Sequence, residues 1–96
     1  QKTYDSNLIK NNNNLLLIGN MFGDCNILLI NPKHKKEIKN QEIKNYKKWS
    51  IIVNLKQNEL LYIPTNWYYI IEIINITFLL HIKSDSIFTF LYNKYR

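Results

Sequence analysis

The sequence predicts an all-β, mainly antiparallel domain, on three observations. The apolar residues are mostly β-branched or aromatic: among 96 residues Ile occurs 16 times, Tyr 7 times and Ala never. Such side chains fit a pleated, half-buried surface better than a helix. The apolar runs are short, recur about every eight to twelve residues and are bounded by Gly, Pro and Asn, the spacing of a sandwich or barrel. Only residues 33–48 offer a helix, and there Ile38, Ile43 and Tyr46 make a poor helical stripe, so a basic loop or short helix is expected.

The elements follow in order. Residues 1–14 are polar and include a four-Asn run around Asn13. Residues 15–18 form an apolar run ended by Gly19-Asn20, and residues 26–30 form a second, ended by Asn31-Pro32. Gly23-Asp24 lies between them, and two short runs joined by a Gly-bearing turn predict a hairpin. Residues 49–55 alternate loosely and lead into the polar turn at 56–59. A strand at 60–63 closes on Pro64-Thr65-Asn66. Strands at 67–74, 76–83 and 87–92 complete the set. Pro64 ends its strand because it has no amide donor for a ladder. Trp67 opens the next, whose alternate residues Trp67, Tyr69, Ile71 and Ile73 share one face.

A chain of 96 residues and 11.6 kDa is read as one domain, 1–96, which at this size buries about 60–65% of its unfolded surface. With 46% hydrophobic and 14% aromatic residues it has enough apolar surface for a core, which excludes a disordered tail. One cysteine excludes an internal disulfide framework. Residues 70–82, the longest apolar stretch, are broken by Glu72, Asn75 and His81 and fall short of the ~20 residues a helical membrane span needs. No basic start followed by an apolar middle is visible in the first residues. The chain opens on Gln1, so processing, or membership of a longer chain, is expected. Ile, Asn and Lys together supply 43 residues, which points to codon drift in an AT-rich genome such as that of certain protists, organelles or large DNA viruses.

Residues 55–72, Leu-Lys-Gln-Asn-Glu-Leu-Leu-Tyr-Ile-Pro-Thr-Asn-Trp-Tyr-Tyr-Ile-Ile-Glu, resemble the signature of the cupin-like Jumonji-C (cupin-8 type) domain. That pattern runs Leu, a Gly-Asp turn, an apolar strand, Ile-Pro, a small turn, Trp-Trp-His and a Val-Glu-like strand. Here Asn58-Glu59 stands for Gly-Asp, and Trp67-Tyr68-Tyr69 for Trp-Trp-His. Upstream, residues 23–32 resemble the family's Gly-x-Lys-x-x-x-Leu-x-Pro-Pro strand. The likeness extends from about residue 3 to residue 93. It implies a cupin-like double-stranded β-helix, or jelly-roll barrel, of the degenerate kind found in large AT-rich DNA viruses.

The same resemblance implies a lost active site. Active members hold iron with two histidines and a carboxylate and leave positions open for 2-oxoglutarate and oxygen. The His-x-Asp position falls on Lys10-Asn11-Asn12 in one alignment and on Thr3-Tyr4-Asp5 in another, and neither contains histidine. The distal histidine position is Tyr69, and the cosubstrate lysine position is Cys25. Asp5, Cys25 and Tyr69 are thus vestigial site positions, and no cofactor or metal is expected. His34, between lysines, reads as a solvated loop residue. His81 reads as a satisfied strand residue. A metal set of His81, Asp5 and Tyr69 has no support in the spacing.

Two features remain. On residues 67–74 the face Tyr68, Ile70, Ile74 is nearly as apolar as its opposite, with only Glu72 marking an outside. Burial against another protein is therefore expected, with Trp67, Tyr68, Ile70 and Ile74 as interface residues. The basic segment places Lys33, Lys35, Lys36, Lys39, Lys44, Lys47 and Lys48 against only Glu37 and Glu42, which leaves five of the chain's six net positive charges there. The first expectation is a non-catalytic structural or interaction domain among other protein subunits of a larger assembly, such as a virion or a complex of the host cytoplasm. The alternative is a nucleic-acid-associated module, such as an organellar ribosomal protein, in which those lysines contact phosphates while Tyr46 and Trp49 stack. An active iron and 2-oxoglutarate oxygenase is the third and weakest reading.

Overall fold

The computed structural model describes residues 4–39, 46–84 and 86–92. The strands are β1 (Tyr4–Asp5), β2 (Ile9–Lys10), β3 (Leu16–Phe22), β4 (Cys25–Ile30), β5 (Ser50–Leu55), β6 (Leu60–Tyr62), β7 (Tyr68–Ile73), β8 (Thr77–Lys83) and β9 (Ser86–Tyr92). Every described pairing is antiparallel, as the composition predicts. One sheet has the order β1/β2–β7–β4–β5, with β1 and β2 lying end to end along one edge of β7. The other has the order β6–β3–β8–β9.

The polar residues 1–14 give no periodic signal, yet they supply the edge of the first sheet. Tyr4 and Asp5 pair with Ile73 and Glu72, and Ile9 and Lys10 pair with Tyr69 and Tyr68. Between them Ser6 donates its amide to Ile71 O and accepts the Ile71 amide on its hydroxyl, both at 2.8 Å. Just beyond, Asn11 is buried. Its side-chain amide donates to Ile63 O at 2.9 Å and Pro64 O at 3.2 Å, and its Oδ1 accepts the Asn13 amide. With the Asn11 backbone amide donating to Trp67 O at 2.8 Å, these bonds tie the start of β7 to the end of β6.

Two expectations are corrected. β3 runs through Gly19-Asn20 rather than ending there, because Gly19 lies where Leu60 of β6 crosses: a Cβ would stand 2.7 Å from Leu60 Cδ2. Nor do β3 and β4 form a hairpin, since they belong to different sheets. The ladder shifts register between Asn20 and Phe22. Gly23 then takes φ +97°, and the chain passes from one sheet to the other. Asn20 braces the corner by donating to Gly23 O at 2.9 Å and Leu55 O at 2.8 Å. The turns at Asn58 and Asn66 also use positive φ, each 72°, which Asn tolerates through its short polar side chain.

The main core lies between the sheets. Leu16, Ile18 and Leu79 come from the second sheet, and Ile27, Leu29, Tyr69, Ile71 and Ile73 from the first. A smaller cluster lies on the far side of the first sheet, where Leu28, Ile30 and Ile70 are buried beneath Tyr46, with Leu8, Ile38, Trp49 and Tyr68 around them. The cover comes from the basic segment: a 3₁₀ turn (Pro32–His34), α1 (Lys35–Lys39) and α2 (Tyr46–Trp49). Asn31 starts it by accepting the Lys33 amide at 2.9 Å. The expected short helix is present as these fragments, while residues 40–45, including Lys44, lie outside the described residues.

Gly23→Ala is expected to destabilise the fold by more than about 1 kcal/mol. Its Cβ would meet Ile76 O and lie 2.9 Å from Thr77 Cα, on top of the positive φ. Urea unfolding measures this, and an Ala variant as stable as the parent would contradict it.

Candidate interaction surface

Asp5, Cys25 and Tyr69, the positions expected to be vestigial, all lie on the first sheet but are not brought together. Tyr69 points into the core and is 3% exposed, and burial raises its phenol further above the ordinary value. Its strand neighbours are Ile9 and Leu29. Asp5 stands opposite Glu72, three register positions along β7, or about 10 Å at strand rise. Cys25 stands opposite Ile73, four positions from Tyr69. Its thiol is buried, and burial, followed by the charge of Asp24, pushes it up to about 11, so it is neither a thiolate nor a cation at neutral pH. Among the described residues no three His, Cys, Asp or Glu side chains cluster closely enough to share a metal.

The interface expected on β7 is corrected by the chain's own basic segment. Ile70 is buried under Tyr46, Tyr68 packs against the same cluster, and Trp67 packs against the main core. Ile74 is half-buried. Glu72 does mark the outer face, but it too is covered. It accepts from Asn26 Nδ2 at 2.8 Å and pairs with Lys47 Nζ at 3.0 Å. Burial alone would raise its carboxyl, but the hydrogen bonds from Asn26 and Lys47 and the charge of Lys47 outweigh this and hold it below the ordinary value.

The cationic surface is correspondingly reduced. Lys47 is engaged by Glu72. Tyr46 is buried, and Trp49 stacks on His34 at 5.8 Å between ring centroids, so neither expected stacking platform stands free. Lys33, Lys35, Lys36, Lys39 and Lys48 are exposed.

The uncovered apolar surface lies on the other sheet. On β8, Thr77, Leu79 and His81 face the core, while Phe78, Leu80 and Ile82 face outward. The reason is the ladder: His81 is opposite Ile18 and Ile82 is opposite Leu17, and Leu16 and Ile18 are the residues of β3 that the core buries completely. Three rows then cross the outside of the sheet. Tyr62, Leu17, Ile82 and Ile87 make one; Leu60, Gly19, Leu80 and Thr89 the next; Phe22, Phe78 and Leu91 the third. No charged residue stands in them. Leu60 is 62% exposed, Tyr62 50%, Phe22 54% and Ile87 67%. A shallow hollow of about 330 Å³ lies at one end, lined by Gly19, Met21, Asn58, Glu59, Leu60 and Leu80 among others.

The face is roughly 19 Å across four strands and up to 23 Å along them. Its projected area of roughly 400 Å² is in the range of patches that carry function on monomers. Sequence reading missed it because the parity carrying Phe78, Leu80 and Ile82 reads as the inner one and Thr77 and His81 as the outer, and the pairing of His81 with Ile18 reverses this.

Comparison with protein-family models, with curated proteins and with solved structures finds no match.

His81 has a measurable consequence. It is 4% exposed, its Nε2 has no hydrogen-bond partner, and Phe90 meets it edge-on at 4.5 Å. Burial, and then the charge of Lys83, lower its imidazole to about 4. Below pH 6.5 the unfolded chain takes up a proton that the folded chain refuses until about pH 4. Stability therefore falls as pH drops through that window, on the order of 2–3 kcal/mol in all. Unfolding of wild type and His81→Leu between pH 7 and pH 4 should show a shallower loss in the variant, and parallel pH profiles would contradict the assignment.

Proposed function

We propose that this chain is a non-catalytic interaction domain, a degenerate cupin-like jelly roll that docks onto other protein subunits of a larger assembly through the outer face of the β6–β3–β8–β9 sheet. The observation that carries this reading is the set of three uncharged rows on that face, left open although the chain's own basic segment covers the outside of β4 and β7 in the other sheet. The partner's matching surface is apolar. A chain of net charge +6 that places no charge in these rows, with Glu59 rather than a lysine lining the hollow at their end, does not use this face to recognise an acidic patch, and recognition rests on area and shape.

Connectivity supports the jelly-roll part of the reading. After β2, every link crosses between the sheets except β4–β5 and β8–β9, giving the paired four-position orders β1/β2–β7–β4–β5 and β9–β8–β3–β6. Jelly rolls are two-sheet folds of this kind and recur in viral capsids, which fits a virion component encoded by an AT-rich genome. Loss of the family's chemistry is supported by Tyr69 and Cys25 at the positions of the distal histidine and the cosubstrate lysine, and by their separation in the sheet. A second reading, contact of the basic segment with nucleic-acid phosphates, is favoured by the exposure of Lys33, Lys35, Lys36, Lys39 and Lys48.

Native mass spectrometry of the protein from its natural source tests the proposal. A metal-free complex with other protein chains is expected. It should be lost in the Leu60→Lys/Tyr62→Lys double variant, whose stability should move by no more than about 1 kcal/mol because both sites are exposed. Stoichiometric iron would revive the oxygenase reading, a nucleic-acid adduct would favour the second reading, and a complex untouched by the double variant would remove the face as the docking site.

A further inference from the structure

The edge of the same sheet carries information that the face does not. β9 is Ser86-Ile87-Phe88-Thr89-Phe90-Leu91-Tyr92, seven residues without charge, Gly or Pro. Among the described strands it pairs with β8 alone. Its five central residues are all exposed, on both faces of the strand. Phe88 and Phe90 share the core-side parity with His81 and Leu79, yet they remain 47% and 39% exposed. A long, uncharged, apolar edge is what folded proteins ordinarily blunt with lysine, proline, bulges or brevity. The other edges of the fold are blunted or mixed. β6 has three residues, and β1 and β2 have two each.

The sequence of β9 is also close to a palindrome about Thr89. When two antiparallel copies align at that residue, Phe88 stands opposite Phe90, Ile87 opposite Leu91, and the hydroxyl-bearing Ser86 opposite Tyr92. Each contact repeats across a two-fold axis, as an isologous interface requires. β5, the other long edge, has no such symmetry. Centred on itself, Ser50-Ile51-Ile52-Val53-Asn54-Leu55 sets Ile51 against Asn54 and Ser50 against Leu55.

We infer that β9 is a homodimerisation edge: two copies of this chain join antiparallel through β9, with the two-fold axis at Thr89, and extend the β6–β3–β8–β9 sheet to eight strands. The second copy is the partner whose sequence matches this strand position by position. The joint gains backbone hydrogen bonds at an open edge, cross-strand aromatic pairs between Phe88 and Phe90, and no opposed charges. The basic segment lies over the other sheet, away from this seam. The dimer would also set two copies of the uncharged outer face side by side, although its formation does not depend on what that face binds.

The test uses the full chain and the exposed residue on the axis. Thr89→Lys and Thr89→Glu each place like charges opposite one another, which is destabilising in a cross-strand pair, while leaving the monomer fold intact. By analytical ultracentrifugation the wild type is expected to be a dimer, and each variant alone a monomer with its dimer dissociation constant raised at least tenfold. Circular dichroism should show both variants folded. An equimolar mixture of the two should recover a dimer containing one of each by native mass spectrometry. A wild type that stays monomeric at 100-micromolar order, a Thr89→Lys chain that dimerises as the wild type does, or a mixture that stays monomeric would each overturn the inference. The Leu60→Lys/Tyr62→Lys variant alters β6, on the opposite edge of the sheet, and should still dimerise. Failure of the face and failure of the edge are thereby separated.

Discussion

The fold depends on covering both sides of β4 and β7. These two strands lie at the centre of the first sheet and are apolar at both parities: Ile27, Leu29, Tyr69 and Ile71 face the main core, while Leu28, Ile30 and Ile70 face away from it. Leaving the second set in water would forfeit roughly 1.5–3 kcal/mol per large side chain. The basic connection between β4 and β5 meets this need by laying Tyr46, Ile38 and Trp49 over the sheet. The Lys47–Glu72 pair secures the cover at its polar margin, where Asn54, Asn26 and Glu72 form a hydrogen-bonded row across three strands. The charge-rich segment is thus the roof of a hydrophobic cluster, and only part of its lysine complement faces outward.

The two sheets are therefore unequal. The first is covered on both faces over β4 and β7, while Ile51 and Ile52 of β5 stay exposed, and the second is closed on one. Because the ladder puts Ile18 opposite His81, the polar parity of β8 is committed to the core and the apolar parity to the outside. A buried imidazole without a partner on one ring nitrogen, and a ring of Phe and Ile in water, are two results of one register. Shifting that register by one residue would turn β8 over against β3 and exchange them.

Much of this was legible in the sequence. β5 to β9 fall where Pro, Asn and other polar residues punctuate the apolar runs, within one residue at each end. The all-β class follows from the Ile and Tyr content. What escaped was nonlocal. β1 and β2 have no apolar run and are held by backbone pairing, Ser6 and Asn11. The Gly23 corner reads as a hairpin because a tight turn between two apolar runs looks the same whether the strands pair or part. The cover from Tyr46 was hidden because α2 is too short to show an amphipathic period. Consequently the open face was expected on β7, when the chain closes that face itself. Asp5, Cys25 and Tyr69 were singled out by the resemblance alone, and their separation along the sheet was not legible.

The account rests on the outer face of the β6–β3–β8–β9 sheet being covered by protein where this chain works. Carbene footprinting of the protein in its native assembly, compared with the isolated chain, measures that cover directly. Strong protection of Leu60, Tyr62 and Phe78 in the assembly is expected, with unchanged labelling of Ile51 and Ile52 on β5. Equal labelling of Leu60, Tyr62 and Phe78 in both states, or protection confined to β5, would contradict it.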